Sequence, residues 1–296
     1  HGIKNMNKSF DIKSILKDVF AEIENRSLGH SLAGIPVNFY DLDAMTNGLK
    51  GGDFILLGGR PAMGKTSFSL NIAKNIAIFR DLPVCIFSMN VKKDILSYRL
   101  LSMELGIESG RLITGRITNE EWPLLGEGIN SLSNSPIHII DISNIGTTEI
   151  NKICKRIKDE SNTKKLGLIM IDDLQFMNQK EDNYEISKEE CMDLFAKRLK
   201  NLSINLDVPI ILNTQLSRDV EWRENKRPVI RDIPGTDGLI NNADIIMMLY
   251  RDEYYDANTE DRGITEISIH KNRNGPLGTI KLLFEPQFTR FRNLKS

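Results

Sequence analysis

The chain has 296 residues, of which 40% are hydrophobic and 27% are charged, and its formal net charge is -1. A chain of this length can bury a large apolar core without disulfides or structural metal ions. The nearly balanced charge excludes general attraction to nucleic acid or anionic lipid, so a polyanionic ligand must be bound by a local group of residues.

The cysteines, histidines and apolar runs exclude several classes of protein. The three cysteines have no CxxC spacing, which is typical of reduced thiols, and Cys85 and Cys154 lie in apolar segments that we expect to be core. The four histidines have no metal-ligand spacing. No apolar run approaches the roughly 20 residues of a membrane span, and no signal-peptide pattern opens the sequence. We therefore expect a soluble intracellular protein without a membrane partner.

The first predicted element is an amphipathic helix over residues 11–25, "DIKSILKDVFAEIEN". Its apolar residues recur at helical spacing: Ile12, Ile15, Leu16, Val19, Phe20 and Ile23. The stretch "RSLGHSLAGIP" that follows is typical of a linker. The sequence thus predicts a linker helix and connecting segment over residues 1–35 and one domain over residues 36–296. The helix could pack on its own domain or dock on a neighbouring subunit.

From Pro36 onward, strand-like apolar runs alternate with helical ones. Six runs predict strands, at residues 54–57, 84–89, 137–141, 167–172, 208–214 and 244–250. Most are continuously apolar, as strands buried on both faces of a parallel sheet must be. This alternation predicts an α/β fold with a doubly wound, mostly parallel sheet. Near the end of the chain, "ITEISIH" and "TIKLLF" flank the turn-rich "KNRNGPLG" and predict a β-hairpin.

Three helical stretches between or after these runs carry further expectations. In "SFSLNIAKNIAIF" we expect Phe68, Ile72 and Phe79 to form one buried stripe. The stretch "TTEINKICKRIKDE" predicts a helix capped by a threonine, with an apolar face made of Ile150, Ile153, Cys154 and Ile157. A later helix carries basic residues that we expect on its outer face, namely Lys197, Arg198 and Lys200.

The strongest motif lies directly after the first strand and opens a helix, "GGRPAMGKTS". It fits GxxxxGK[ST], in which backbone N–H groups and the helix N-terminus face a polyphosphate. We expect Lys65 to reach the β and γ phosphates and Thr66 to give its hydroxyl to Mg²⁺. Asp172, at the end of "GLIMID", is positioned to hold the magnesium. The predicted ATP and Mg²⁺ site comprises Gly59, Arg60, Pro61, Ala62, Met63, Gly64, Lys65, Thr66, Ser67 and Asp172.

Six blocks in order resemble one protein family. They are "GGRPAMGKTSFSLNIA", "GLIMIDDLQFM", "NTQLSR", "NKRPVIRD", "NNADIIMMLYRDEYY" and "KNRNGPLGT". Over about residues 11–296 the chain resembles the C-terminal motor domain of the DnaB-type replicative helicases, which has a RecA-like fold. The last three blocks are not shared by generic phosphate-loop ATPases, so the resemblance is specific.

The resemblance implies a homohexamer that pulls single-stranded DNA with nucleotide bound at subunit interfaces, and a linker helix docked on the next subunit. It implies that Gln215 senses nucleotide state and that Arg99 approaches the γ-phosphate. Lys271 and Arg273 would reach the neighbour's nucleotide as a finger, which would make hydrolysis depend on assembly; a solvated basic turn is the alternative. A primase and a helicase loader are implied as further partners, in the cytoplasm at the nucleoid or in an organellar stroma.

The first departure from the family pattern concerns the chemistry. After the second strand the family has a glutamate that polarises the attacking water, whereas this chain has Asn90. An amide cannot accept that proton, and general base catalysis is typically worth about 10²- to 10⁴-fold. Asn90 could instead orient the water, or Asp173 could serve as the base.

The second departure lies in the family's DNA-contacting loop, which here reads "DIPGTD" over residues 232–237 and lacks a phosphate-binding arginine. Each lost phosphate contact lowers DNA affinity and its salt dependence. The remaining candidates for DNA contact are Arg218, Arg231 and Gly235. Two functions are therefore open: an ATP-driven hexameric 5′ to 3′ DNA translocase, or a degenerate ATP-binding subunit or regulator of such a helicase with weak or no hydrolysis.

Overall fold

The computed structural model describes residues 11–27, 32–142, 145–173, 188–235 and 237–294. The chain divides into two compact units, His1–Ala33 and Gly34–Ser296. In the first unit, helix α1 (Ile12–Ser27) covers the predicted amphipathic stretch. Its six large apolar side chains are 40% to 67% exposed. No described helix is both long and apolar enough to cross a membrane.

The second unit alternates helices and strands along most of its length. Its helices are α2 (Tyr40–Thr46), α3 (Lys65–Arg80), α4 (Lys93–Leu105), α5 (Ser109–Thr114), α6 (Glu121–Ser133), α7 (Thr147–Glu160), α8 (Lys188–Leu206) and α9 (Asp237–Asn242). Its strands are β1 (Phe54–Gly59), β2 (Val84–Ser88), β3 (Ile137–Asp141), β4 (Leu168–Asp172), β5 (Ile210–Gln215), β6 (Ile245–Tyr250), β7 (Ile264–Asn272), β8 (Gly278–Glu285) and β9 (Arg290–Asn293).

The strands form one sheet in the order β3-β2-β4-β5-β1-β6-β7-β8-β9. The strands from β3 to β6 in this order pair in parallel. The last three join antiparallel, with β7 and β8 as the expected hairpin. The predicted fold class is therefore confirmed. Strand β9 was not predicted, because only Phe291 in its four residues "RFRN" is buried.

Both faces of the sheet are covered by apolar residues, which explains the continuous apolar runs. In β1, Ile55 and Leu57 belong to the core cluster that contains α3, while Phe54 and Leu56 belong to the cluster that contains α7 and α8. Successive side chains of a strand point to opposite faces, so both sets must be apolar. Cys85 and Cys154 are buried free thiols in the second cluster, as expected.

Three details differ from the sequence-based expectations. Phe68 and Ile72 are fully buried, but Phe79 is 59% exposed, because it borders an open cavity at the end of α3. Helix α7 is capped by Gly146 without a side-chain hydrogen bond, so the predicted threonine cap is wrong. Lys200 does not decorate an outer face, because its Nζ atom lies 2.7 Å from a buried carboxylate at the start of β6.

Candidate nucleotide-binding site

The phosphate loop (residues 59–66) runs from the end of β1 into the first turn of α3. Gly64 precedes the helix with φ of 93°, and a Cβ atom there would lie 3.1 Å from Cζ of Phe291. Both features favour glycine at this position. The loop therefore turns back on itself, and the free N–H groups of the first turn of α3 open onto it. This arrangement can bind an anion.

Lys65 lies over the backbone of this loop. Its Nζ atom donates to the carbonyl of Gly59 at 2.8 Å and to that of Arg60 at 3.3 Å. Burial lowers the pKa of Lys65, while the carboxylates of Asp173 and, to a smaller extent, Asp172 raise it. The ammonium group is thus positioned where phosphate oxygens could replace backbone carbonyls as its acceptors.

Thr66 and Asp172 form a pair of oxygen groups beside the loop. The Thr66 hydroxyl donates to Oδ2 of Asp172 at 2.8 Å, and Asp172 is only 5% exposed at the end of β4. Asn213 of β5 donates to the other carboxylate oxygen at 2.9 Å. The part of the chain that the structure describes holds no group of three or more metal-ligating side chains. One hydroxyl and one carboxylate suit Mg²⁺, which usually keeps waters and takes substrate phosphates as further ligands.

Sequence reasoning missed Asn213, although a signal for it was present. The run "IILNTQ" is continuously apolar until this asparagine, which is fully buried. Its amide also donates to the Ser69 hydroxyl at 3.0 Å. A buried amide at the end of a central strand therefore fixes the orientation of the Asp172 carboxylate.

Three other candidates lie around the loop. Ser88 of β2 pairs with Asp172 of β4, so the turn that carries Asn90 leaves the sheet beside this carboxylate. Asn90 is exposed, and its side chain makes no hydrogen bond to any described residue. Asp173 acts on Lys65 more strongly than Asp172 does. Burial lowers the pKa of Arg99, and the charge of Asp172 opposes this shift.

The strand end that carries Gln215 adjoins the phosphate loop. Gln215 is paired with Gly59 at the end of β5 and is partly buried. The side chain of Arg60 is directed to the same region, because Nη1 donates to the carbonyl of Leu216 at 2.8 Å and Nε donates to Glu221 at 2.7 Å. Arg60 therefore contributes its backbone to the loop, while its guanidinium binds the segment after β5.

The candidates for DNA contact lie in that segment, on two 3-10 turns (Arg218–Trp222 and Ile230–Asp232) and just after them. Arg218 and Arg231 are exposed. Gly235 has φ of 108°, and a Cβ atom there would lie 2.3 Å from Sδ of Met192, so this position requires glycine. The structure thus places all three candidates on one segment that follows Gln215.

Lys271 and Arg273 lie at the opposite edge of the sheet. Strand β7 runs antiparallel to β6, and Lys271 pairs with Ile246 at the start of β6. In β1, Ile55 pairs with Ile245 of β6, and Gly59 lies four residues after Ile55. At roughly 3.3 Å per residue, Gly59 is about 13 Å along the strand from the level of Ile245. The two cations therefore do not reach the phosphate loop of their own chain.

Backbone carbonyls at the end of α9 hold these two cations. Lys271 Nζ donates to the carbonyl of Ile240 at 2.7 Å, and Arg273 Nη2 donates to that of Asn241 at 2.8 Å. Arg273 Nε also lies 3.4 Å from the carboxylate of Asp244, which is 4% exposed. No local sequence pattern predicts this contact. The side chains of the basic turn are therefore held by their own chain, while that of Arg273 is still 49% exposed.

The family model described as "DnaB-like helicase C terminal domain" matches residues 34–293. The replicative DNA helicase DnaC of Bacillus subtilis (strain 168) is 40% identical over 293 residues, which cover 99% of this chain and 64% of that protein. The chain thus spans less than two thirds of the length of this curated relative.

Two solved structures are similar to this chain over 97% of its length. One is described as an ATPase domain, with a TM-score of 0.91, 35% identity and coverage of 100% of that chain. The other is described as a DnaB-like replicative helicase and its interactions with primase, with a TM-score of 0.88, 34% identity and coverage of 68% of that chain.

Proposed function

Because the chain belongs to the family of DnaB-like helicase C-terminal domains, we propose that it is the ATP-driven motor of a replicative DNA helicase. In this proposal it assembles as a homohexamer and moves along single-stranded DNA. The observation that carries the proposal is the phosphate loop with Lys65 over its backbone and Thr66 bound to Asp172 at 2.8 Å. These groups are those that phosphoryl transfer from ATP requires.

Within one subunit, this chain's residues bind and orient the triphosphate. Lys65 exchanges its bonds to backbone carbonyls for bonds to phosphate oxygens, and the N-terminus of α3 supplies further donors. Thr66 and Asp172 would hold Mg²⁺, which when bound neutralises charge on the phosphates. Asn213 keeps the Asp172 carboxylate in place.

The attacking water would be oriented at the turn after β2 or at the end of β4. Asn90 is exposed there and can both donate and accept hydrogen bonds, but it cannot take a proton. Asp173 can take a proton, and its charge already acts on Lys65. We therefore propose that Asn90 orients the water while Asp173 is the available base.

A second subunit would complete the site. Lys271 and Arg273 lie at the edge of the sheet opposite the phosphate loop, so a head-to-tail ring can bring them to the neighbour's loop. A guanidinium supplied in this way neutralises charge that develops on the transferred group. The exposed apolar face of α1 supports docking of the linker helix on a neighbouring subunit.

Single-stranded DNA would be bound by the segment after β5, through Arg218, Arg231 and the backbone at Gly235. Two exposed arginines give few phosphate contacts, so affinity should depend on several subunits acting together. We propose a primase as a further partner, because a similar solved helicase is described with its primase interactions. A loader and a cytoplasmic, nucleoid-associated location belong to the same proposal.

The test is steady-state ATP turnover across protein concentration, with and without oligothymidylate. A motor with shared sites should show turnover per subunit that rises as the protein assembles and rises again with DNA. Tight ATP binding without turnover at any concentration would contradict the motor and favour an ATP-binding regulatory subunit. Absence of ATP binding would contradict both functions.

A further inference from the structure

We propose that the ion pair between Arg60 and Glu221 links the phosphate loop to the DNA-contact segment (residues 216–235), so that the bound nucleotide sets the affinity for single-stranded DNA. This inference rests on the proposed function and assigns a positioning role to two residues that do not themselves touch DNA. Arg60 belongs to the loop, and Glu221 lies three residues after Arg218, in the same 3-10 turn.

The contact between these residues is close, with Arg60 nearly buried and the side chain of Glu221 41% exposed. Arg60 is 7% exposed, and its Nε and Nη2 atoms lie 2.7 Å and 2.6 Å from Oε1 of Glu221. The remaining terminal nitrogen donates to the carbonyl of Leu216 at 2.8 Å. The planar guanidinium thus holds two points of the DNA-contact segment at once, which a lysine could not do with the same geometry.

A second ion pair carries the connection onward. Arg223 binds the carboxylate of Asp232 at 2.6 Å, and Asp232 is 2% exposed. The backbone carbonyl of Asp232 accepts from the N–H of Ser217 at 2.7 Å. Because Glu221 and Arg223 are two residues apart, the two pairs join the phosphate loop to both 3-10 turns. The segment with Arg218, Arg231 and Gly235 is therefore held as one piece that begins at the loop.

The consequence is a predicted coupling between two ligands. If binding of a triphosphate moves Arg60, Glu221 must follow, because Arg60 is nearly buried and binds no other carboxylate among the described residues. By thermodynamic linkage, if a bound nucleotide changes the affinity of the protein for DNA by some factor, bound DNA changes the affinity for that nucleotide by the same factor. Loss of the pair should reduce that factor without removing either binding site.

The experiment measures the affinity for a fluorescent oligothymidylate in the presence of ADP and of a non-hydrolysable ATP analogue. We expect the wild-type affinities to differ by about 5- to 150-fold, the usual range of coupling between two sites. In Glu221→Gln the two affinities should agree to within about 2-fold, while the affinity for either nucleotide without DNA stays at the wild-type value. Arg60→Lys combined with Glu221→Gln should reduce the factor no further than Glu221→Gln alone.

The matched control is Glu253→Gln. Glu253 forms an ion pair with Arg251, and Arg251 donates to the carbonyl of Ala62 in the phosphate loop at 3.0 Å. This pair touches the same loop but carries no residue of the DNA-contact segment, so the coupling factor should stay at the wild-type value.

The possible results separate the inference from the function on which it rests. A wild-type protein that binds neither nucleotide nor oligothymidylate would contradict the proposed function. A wild-type protein that binds both, but with no dependence of one on the other, would overturn the inference. The inference would also be overturned if Glu221→Gln kept the full wild-type ratio of the two DNA affinities. It would be overturned too if Glu253→Gln reduced this ratio as much as Glu221→Gln does.

Discussion

The two edges of the parallel sheet differ in how completely they are built within one chain. At the carboxyl edge, Lys65 donates to two backbone carbonyls of the loop, and Thr66 donates to Asp172, which is only 5% exposed. At the amino edge, the side chain of Arg273 is 49% exposed and is held by a helix carbonyl and by the carboxylate of Asp244. The groups that could bind a nucleotide lie together at the carboxyl edge, whereas the cation at the amino edge is half exposed. This difference is what the proposed shared site between two subunits predicts.

The largest expected effect is at the carboxyl edge, where Lys65 lies. Lys65→Ala should abolish ATP binding in calorimetry, because no other ammonium group is tied to the loop backbone in the part of the chain that the structure describes. Arg251→Ala is a useful comparison, since it also removes a cation bonded to the loop but only through the carbonyl of Ala62. Retained affinity in Lys65→Ala would show that this edge is not the nucleotide site.

The second largest expected effect is at the amino edge, where Arg273 lies. Arg273→Ala should lower ATP turnover by about 10³-fold or more, as loss of a finger arginine does in related chemistry, while ATP binding persists. Subunits with Arg273→Ala mixed with subunits with Lys65→Ala should regain some turnover, because an intact loop can then meet an intact finger. If the mixture stays as inactive as each variant alone, the two edges do not share a site.

A third prediction concerns the support of the finger. Asp244 accepts from the backbone N–H of Phe54 at 2.8 Å and from Lys200 at 2.7 Å. Asp244→Asn keeps an acceptor but removes the charge that Lys200 needs, so it should lower the free energy of unfolding by about 1–3 kcal/mol in urea denaturation. The exposed pair of Lys281 with Asp261 provides the control, and Asp261→Asn should cost about 0–1 kcal/mol. Equal losses in both variants would contradict a special role for the buried carboxylate.

The smallest expected effect comes from introducing a carboxylate in place of the Asn90 amide, at the carboxyl edge. Asn90→Glu should raise ATP turnover by about an order of magnitude, because a glutamate can accept the proton of the attacking water. An unchanged rate would favour Asp173 as the base that already acts in the wild-type protein. In that case Asp173→Asn, measured in the same assay, should abolish the remaining turnover.

Most of the candidate nucleotide-binding residues at the carboxyl edge could be predicted from sequence, because the motifs that indicate them are local. The phosphate loop follows a buried strand within ten residues, and its glycines, lysine and threonine have fixed spacing. Asp172 was predicted from the end of an apolar run. Asn213 was missed, because its apolar run indicates that it is buried but does not show that it faces Asp172.

The arrangement of residues at the amino edge was predicted only in part. The resemblance singled out Lys271 and Arg273, but their attachment to the end of α9 depends on pairs about 30 residues apart. Lys200 was expected at the surface, and it binds a residue 44 positions away. Helical periodicity gives the face of a helix, but it does not tell which neighbour that face meets.

Local sequence patterns predicted the fold class, the phosphate loop and most of the strands, because apolar periodicity and glycine spacing act over a few residues. Tertiary structure alone decided that the loop and the basic turn lie at opposite edges of one sheet, since strand direction and pairing bring together residues far apart in the chain. It also decided that Arg60 faces Glu221, 161 residues away, rather than solvent. Such contacts follow from packing, which no local pattern records.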